Sequence, residues 1–209
     1  MPILWLEEIK NYKNIMVATN SSMLPIGTKA NYFALEDVQS KKIVELQKGN
    51  EFKGYLIAFI CNHCPFVIHL LEHLTVQFNA LQKEGIKVLS ISSNDIEKYP
   101  QDSPEKMRLL AENYGFEFPY LFDESQEVAI SFKAACTPDF FLFDANLELF
   151  YRGRYDSSRP GSNHPVTGED LLKAVQCIKL DSIYPQKQMP SIGCNIKWYP
   201  NREPNYFQK

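Results

Sequence analysis

Residues 55–71, YLIAFICNHCPFVIHLL, join an apolar run of strand character to a run of helical character through two cysteines and a histidine. No other stretch constrains the fold as much, because it requires a buried strand, a sharp entry into a helix and thiols at the point of entry. Tyr55–Ile60 is short and continuously apolar and follows Gly54, which suits a strand covered on both faces. Beyond the cysteines, Val67, Leu70, Leu71, Leu74, Phe78 and Leu81 recur at the spacing of an amphipathic helix. GIKVLSISS, residues 85–93, returns to strand character. Strand, helix and strand in this order predict a right-handed crossover between parallel strands.

The flanking segments complete the pattern. YFALEDV and KIVELQ read as a strand pair. Asp102 or Ser103 is placed to cap a helix over Pro104–Tyr114, with proline at the first position where its missing N–H costs nothing. FPYLFD reads as a short extended piece and ESQEVAISFKA as a further helix. PDFFLFD and LELFYRGR, joined by the turn AN, predict an antiparallel hairpin, and Thr167 is expected to cap a last helix, GEDLLKAVQCIKL. The expected fold is α/β and thioredoxin-like: a central mixed sheet with helices on both faces, an extra N-terminal strand pair and an irregular C-terminal tail. Residues 1–23 are assigned to an N-terminal extension, 24–180 to one thioredoxin-like domain, and 181–209 to a tail packed on it.

Composition limits the function. A chain of 209 residues with 44% hydrophobic residues can bury one core. Twenty-two basic residues against twenty-five acidic ones, without a Lys/Arg cluster, argue against a nucleic-acid partner. No segment approaches the roughly 18 apolar residues of a membrane span. MPILWLEEIKNYKNIMV lacks a basic start and an unbroken apolar stretch, so a cytoplasmic location is expected. The five cysteines, Cys61, Cys64, Cys136, Cys177 and Cys194, are odd in number and unevenly spread, unlike a structural disulfide lattice.

A Cys-x-x-Cys pair beside a strand–helix–strand unit is a redox signature. Unpaired N–H groups and the helix dipole are expected to hold Cys61 as a thiolate, the nucleophilic form. Cys64, one turn inside, would close a small disulfide with it, and His63 as a cation would further stabilise the Cys61 anion. Two other uses of these side chains are weaker. A structural Cys61–Cys64 disulfide closes too small a loop to remove much unfolded-state entropy. Zinc on Cys61, Cys64, His69 and His73 has suitable spacing, but helical geometry turns both histidines to solvent, opposite Val67, Leu71 and Leu74, so no metal is expected.

In AACTPDFF, Thr137-Pro138 stands where a thioredoxin-type protein has a cis bond opening a core strand, with the backbone before the proline left to pair with a bound chain; an ordinary trans proline opening a strand is the alternative. Thr137, Pro138 and Cys136 are therefore the candidate substrate-binding residues. Cys136 is read as a small buried residue, with a third redox thiol as the alternative. Cys177 falls on the apolar stripe of the last helix with Leu171, Ala174 and Val175. Cys194, in PSIGCNIKW, is either an auxiliary thiol or packing, the second being favoured. Arg152, Arg154, Asp156, Arg159 and His164 either shape an approach surface or solvate an edge hairpin, the second again being favoured.

CNHCP, ISSND, FPYLFDESQEVA, CTPDFFLFD, YRGRYDSSRP, VTGEDL and PSIGCNIKW together resemble a bacterial group within the alkyl hydroperoxide reductase/thiol-specific antioxidant (redoxin) superfamily, over about residues 24–204. The resemblance implies a thioredoxin fold with thiol–disulfide or antioxidant activity. Two features depart from relatives of that fold. The Pro-x-x-x-Thr-x-x-Cys pattern of peroxiredoxins would need proline at Ile57 and threonine at Cys61, and Tyr55 stands where thioredoxins keep a buried acid beneath the cysteine pair. The expected function is thiol–disulfide exchange, with Cys61 attacking, Cys64 resolving, no cofactor, disulfide or thiol substrates, and an external thiol reductant. A thiol peroxidase and a non-enzymatic binding module are the alternatives.

Overall fold

The computed structural model describes residues 18–184 and 188–207. The reading of MPILWLEEIKNYKNIMV and most of the assigned N-terminal extension lies outside the described residues. In chain order the elements are β1 (Ala18–Asn20), β2 (Ala34–Asp37), β3 (Ile43–Glu45), β4 (Gly54–Phe59), α1 (Pro65–Lys83), β5 (Ile86–Ser92), a 3₁₀ turn (Pro100–Asp102) and α2 (Pro104–Tyr114). There follow β6 (Tyr120–Phe122), α3 (Glu127–Ser131), β7 (Cys136–Thr137), β8 (Asp139–Asp144), β9 (Leu149–Gly153), α4 (Glu169–Lys179) and β10 (Ile192–Asn195).

Seven strands form the main sheet in the order β3-β2-β6-β5-β4-β8-β9. β4 runs parallel to β5 and β5 to β6, whereas β8 lies antiparallel on the other side of β4. Sheet and helices make the α/β thioredoxin-like fold anticipated from the cysteine junction. All six residues of β4 are buried because each face of the sheet carries its own core. Leu56 and Ala58 join the cluster under α1, α2 and α4, while Tyr55, Ile57 and Phe59 join a second cluster on the face of α3, with Phe132, Phe141 and Phe143. Period-two alternation thus serves two apolar layers, and the strand reads as a continuous apolar run.

Helix α1 is fixed by its buried stripe. Val67, Leu70, Leu71, Leu74, Phe78 and Leu81 are buried along it, each worth roughly 1.5–3 kcal/mol of transfer free energy. Cys64, at its N-cap, makes no side-chain capping bond, and a good cap contributes only about 1 kcal/mol. Packing therefore sets where the helix lies, and the thiols at its start are left for other contacts. α2 begins as expected, with Ser103 accepting a hydrogen bond from the Lys106 N–H and Gly115 ending the helix at φ 71°.

Three features differ from expectation. The segment read as an irregular tail contains β10, which lies between β1 and β7 in a separate three-stranded sheet. Neither short neighbour shows in the residue pattern, since strands of two and three residues are too short for a period. Thr167 is not the cap of α4: Gly168 holds that place at φ 65°, and the Asp156 carboxylate accepts both the Thr167 and Gly168 N–H groups. Arg152, favoured as part of a solvated edge, is fully buried, where it pairs with Asp139 at 3.1 Å, donates to the Lys133 carbonyl and stacks over Phe141. A guanidinium inside an apolar layer persists because ion pair, carbonyl and ring together replace its water. Asp156 is buried with it, and Arg154 pairs with Asp170 at 2.6 Å.

Candidate active site

Cys61 and Cys64 sit between the end of β4 and the first turn of α1 and converge on one residue. Cys61 Sγ lies 3.3 Å from Thr137 Oγ1, and Cys64 Sγ lies 3.0 Å from the Thr137 carbonyl oxygen. Each thiol shifts the ionisation of the other. Thr137-Pro138 is cis, as anticipated. Cys136 is buried, and its thiol lies 3.5 Å from the Pro138 carbonyl oxygen.

The placement of the two cysteines corrects the expected one. Helix α1 begins at Pro65, so Cys64 occupies the N-cap and Cys61 precedes the first turn. Neither is accessible: Cys61 is 1% and Cys64 0% exposed. Burial pushes the Cys61 thiol well above its ordinary value, and the bond with Cys64 and the Asp102 carboxylate add to the rise. Burial acts on Cys64 too, but bonds from Cys194 and Cys61, the Cys194 N–H and Thr137 outweigh it and bring that thiol well below the ordinary range. The Thr137 carbonyl opposes this by accepting from a protonated Cys64, yet it is one acceptor against several donors. Proximity to the unpaired N–H groups of α1 favours the same sulfur. The surrounding groups thus favour the anion on Cys64 over Cys61.

A third sulfur completes the cluster. Cys194 Sγ lies 2.7 Å from Cys64 Sγ, carried there by β10, whose Cys194 and Asn195 pair with Thr137 and Cys136. The backbone before Pro138, expected to receive a bound chain, is thus already paired with this protein's own tail. Gly193 permits the approach, because a Cβ there would collide with the Thr137 carbonyl. The favoured reading of Cys194 as packing captures its burial, at 1% exposed, but not its neighbour.

His63 is held by Asp102. Its Nδ1 lies 2.7 Å from Asp102 Oδ2, and its ring stacks on Tyr99 with centroids 5.4 Å apart. Asp102 is buried and accepts further bonds from the Asn62 N–H and the Asn94 side-chain amide, each at 2.8 Å. Asn94 in turn accepts the Lys197 N–H, tying the network to the tail. Asp102, considered from sequence only as a helix cap, is the principal site residue that was missed. Its signal, an acid beside the capping serine, is common at helix starts and carries no mark of burial.

Cys61, His63 and Asp102 are the group among the described residues whose donor atoms could surround a cation, all lying within 4.8 Å of one another. Both Asp102 oxygens already accept protein hydrogen bonds, which disfavours a metal there. His69 and His73 are not turned to solvent: they are half-buried against the loop after β9, where His69 Nε2 meets Ser158 Oγ at 2.7 Å and His73 Nδ1 meets the Tyr155 hydroxyl at 2.8 Å. Cys177 is half-buried, while Leu171, Ala174 and Val175 are fully buried on α4. No helix among the described residues is long and apolar enough to cross a membrane.

Fold and site together define a thioredoxin-like protein with a cysteine cluster at the start of its first long helix. Residues 26–152 match the AhpC/TSA family, and the chain belongs to that family. It is 47% identical to an uncharacterized conserved protein from Geobacillus kaustophilus, covering 89% of this chain and 98% of that one, with a TM-score of 0.86. A hypothetical protein from Sinorhizobium meliloti is 40% identical over 88% of this chain and all of its own, with a TM-score of 0.85. Among curated relatives, the thiol-disulfide oxidoreductase ResA of Geobacillus thermodenitrificans is 22% identical over 161 residues, 77% of this chain and 82% of that protein.

Proposed function

We propose that the protein is a thiol–disulfide oxidoreductase whose working pair is Cys61 and Cys64. The observation that carries this reading is the convergence of both sulfurs on Thr137, at 3.3 and 3.0 Å. Two thiols so placed can exchange two electrons with a disulfide by forming their own. Cys64 attacks a substrate disulfide and releases one thiol; Cys61 then attacks Cys64, releases the second thiol and leaves Cys61–Cys64 oxidised. This reverses the roles expected from sequence and follows the donors around Cys64. His63 and Asp102 hold the loop between the cysteines. Thr137 and Pro138 form the seat for a substrate chain, with Cys136 beneath it.

An external thiol returns the pair to the dithiol. Similarity to ResA supports exchange, and family membership supports an antioxidant role within the same chemistry. The odd, scattered cysteines support a reducing, cytoplasmic setting. When the reduced protein meets glutathione disulfide, two thiols per chain should be consumed, with Cys61–Cys64 among the products on peptide mapping. Cys64→Ser should slow the reaction on the order of a thousandfold. Retention of the rate in that variant would sink the reading.

A further inference from the structure

The exchange reading uses two of the three sulfurs that meet at Thr137. The third, Cys194, sits on a strand with no part in that reaction, yet its Sγ lies 2.7 Å from Cys64 Sγ, nearer than the Thr137 carbonyl oxygen at 3.0 Å. We propose that Cys194 is a second resolving cysteine, forming a disulfide with Cys64, and that β10 is a tethered substrate occupying the seat that an external chain must take. This inference rests on Cys64 being the attacking sulfur.

Three observations support it. The 2.7 Å between Cys64 and Cys194 is shorter than two packed sulfurs ordinarily keep, so only a small movement separates contact from bond. β10 reaches Thr137 through backbone pairing, Cys194 opposite Thr137 and Asn195 opposite Cys136, so the sulfur is delivered by main-chain register. Gly193 lets the two backbones close to contact where any side chain would hold them apart. The strand is anchored on both sides: β1 pairs with it from Ala18 to Asn20, and beyond it Ile196 and Trp198 are buried in the second core.

The chemistry balances without another reagent. In the oxidised protein, the Cys194 thiolate attacks Cys64 of the Cys61–Cys64 disulfide. The Cys64–Cys194 bond forms as the Cys61–Cys64 bond breaks, and Cys61 leaves as a thiolate that takes up the proton Cys194 gave up. No electrons enter or leave. After attack on an external disulfide, either Cys61 or Cys194 can displace the second substrate thiol from Cys64, and the two electrons go to that thiol in both cases.

The test compares Cys61→Ser with Cys61→Ser/Cys194→Ser, each reduced, mixed with glutathione disulfide, acid-quenched and mapped by mass spectrometry. In the single variant the glutathione adduct on Cys64 should be transient and give way to a Cys64–Cys194 cross-link. The double variant should keep the adduct, at roughly tenfold higher yield, since neither Cys61 nor Cys194 remains to displace it. Equal adduct in both, with no cross-link, overturns the proposal while leaving exchange at Cys64 intact. No adduct in the double variant overturns the exchange reading and this inference with it. The unsubstituted protein gives an independent measurement in a glutathione redox series: Cys61–Cys64 and Cys64–Cys194 peptides should both appear. Full alkylation of Cys194 at every ratio overturns the proposal without relying on how any variant folds.

Discussion

Asp102 shows how one buried acid organises the loop between the cysteines. It fixes the Asn62 backbone, the His63 ring and the Asn94 amide, and its charge helps to keep Cys61 protonated. Asp102→Asn removes that charge and gives the site a donor where three donors already point. The Cys61 thiol should then ionise at lower pH, though still above the ordinary range, because burial is the larger cause. Stability should fall by about 1–3 kcal/mol as buried groups lose partners. The pH profile of Cys61 alkylation, read by peptide mapping, checks the first effect and urea unfolding the second; an unmoved inflection contradicts the electrostatic role. Cys61 and Cys64 were legible from sequence because their spacing is local, and Thr137-Pro138 because a proline opening a core strand has a fixed place in a thioredoxin-like fold. Asp102 and Cys194 were not, since only the folded chain brings positions about forty and 130 residues away onto the same sulfurs.

At the level of elements, the β8–β9 hairpin is pinned from inside. Arg152 on β9 crosses to Asp139 on β8 and to the carbonyls of Phe132 and Lys133, so one side chain joins the hairpin to the segment leading into β7. Arg152→Met leaves Asp139 buried without its cation and should cost about 3–5 kcal/mol, whereas Arg152→Met/Asp139→Leu should recover much of the loss. Chemical denaturation of the three proteins checks this; a double variant no more stable than the single one would contradict it. The hairpin itself was legible from alternating apolar residues about a short turn. The inward guanidinium was not, because arginine near a strand end usually marks solvent, and only the acid facing it across the sheet reverses that expectation. Helix α1 was legible to within a few residues since its stripe is long, while β1, β7 and β10 carry too few residues to show a period.

For the whole molecule, the thiols couple stability to pH in two opposed ways. Cys64 ionises more readily folded than unfolded, so its contribution is fully present above the unfolded value, about 8.5, and is lost as pH falls through the folded one. Cys61 and Cys136 are shifted up chiefly by burial and Cys194 chiefly by its bond with Cys64, so their contribution holds below about 8.5 and is lost as pH rises further. Under reducing conditions, the stability advantage of the unsubstituted chain over Cys64→Ala should widen as pH rises toward that value. The advantage over Cys136→Ala should shrink beyond it. Urea midpoints across pH measure both, and a difference from Cys64→Ala that stays flat below that value contradicts an anionic Cys64. The three-stranded sheet is a roof built from opposite ends of the described chain, two short strips laid over a two-residue ledge. Because its strands pair with none of the seven in the main sheet, entry to the sulfurs should need local opening of this roof and release of Ile196 and Trp198 from the second core, not unfolding of the whole molecule.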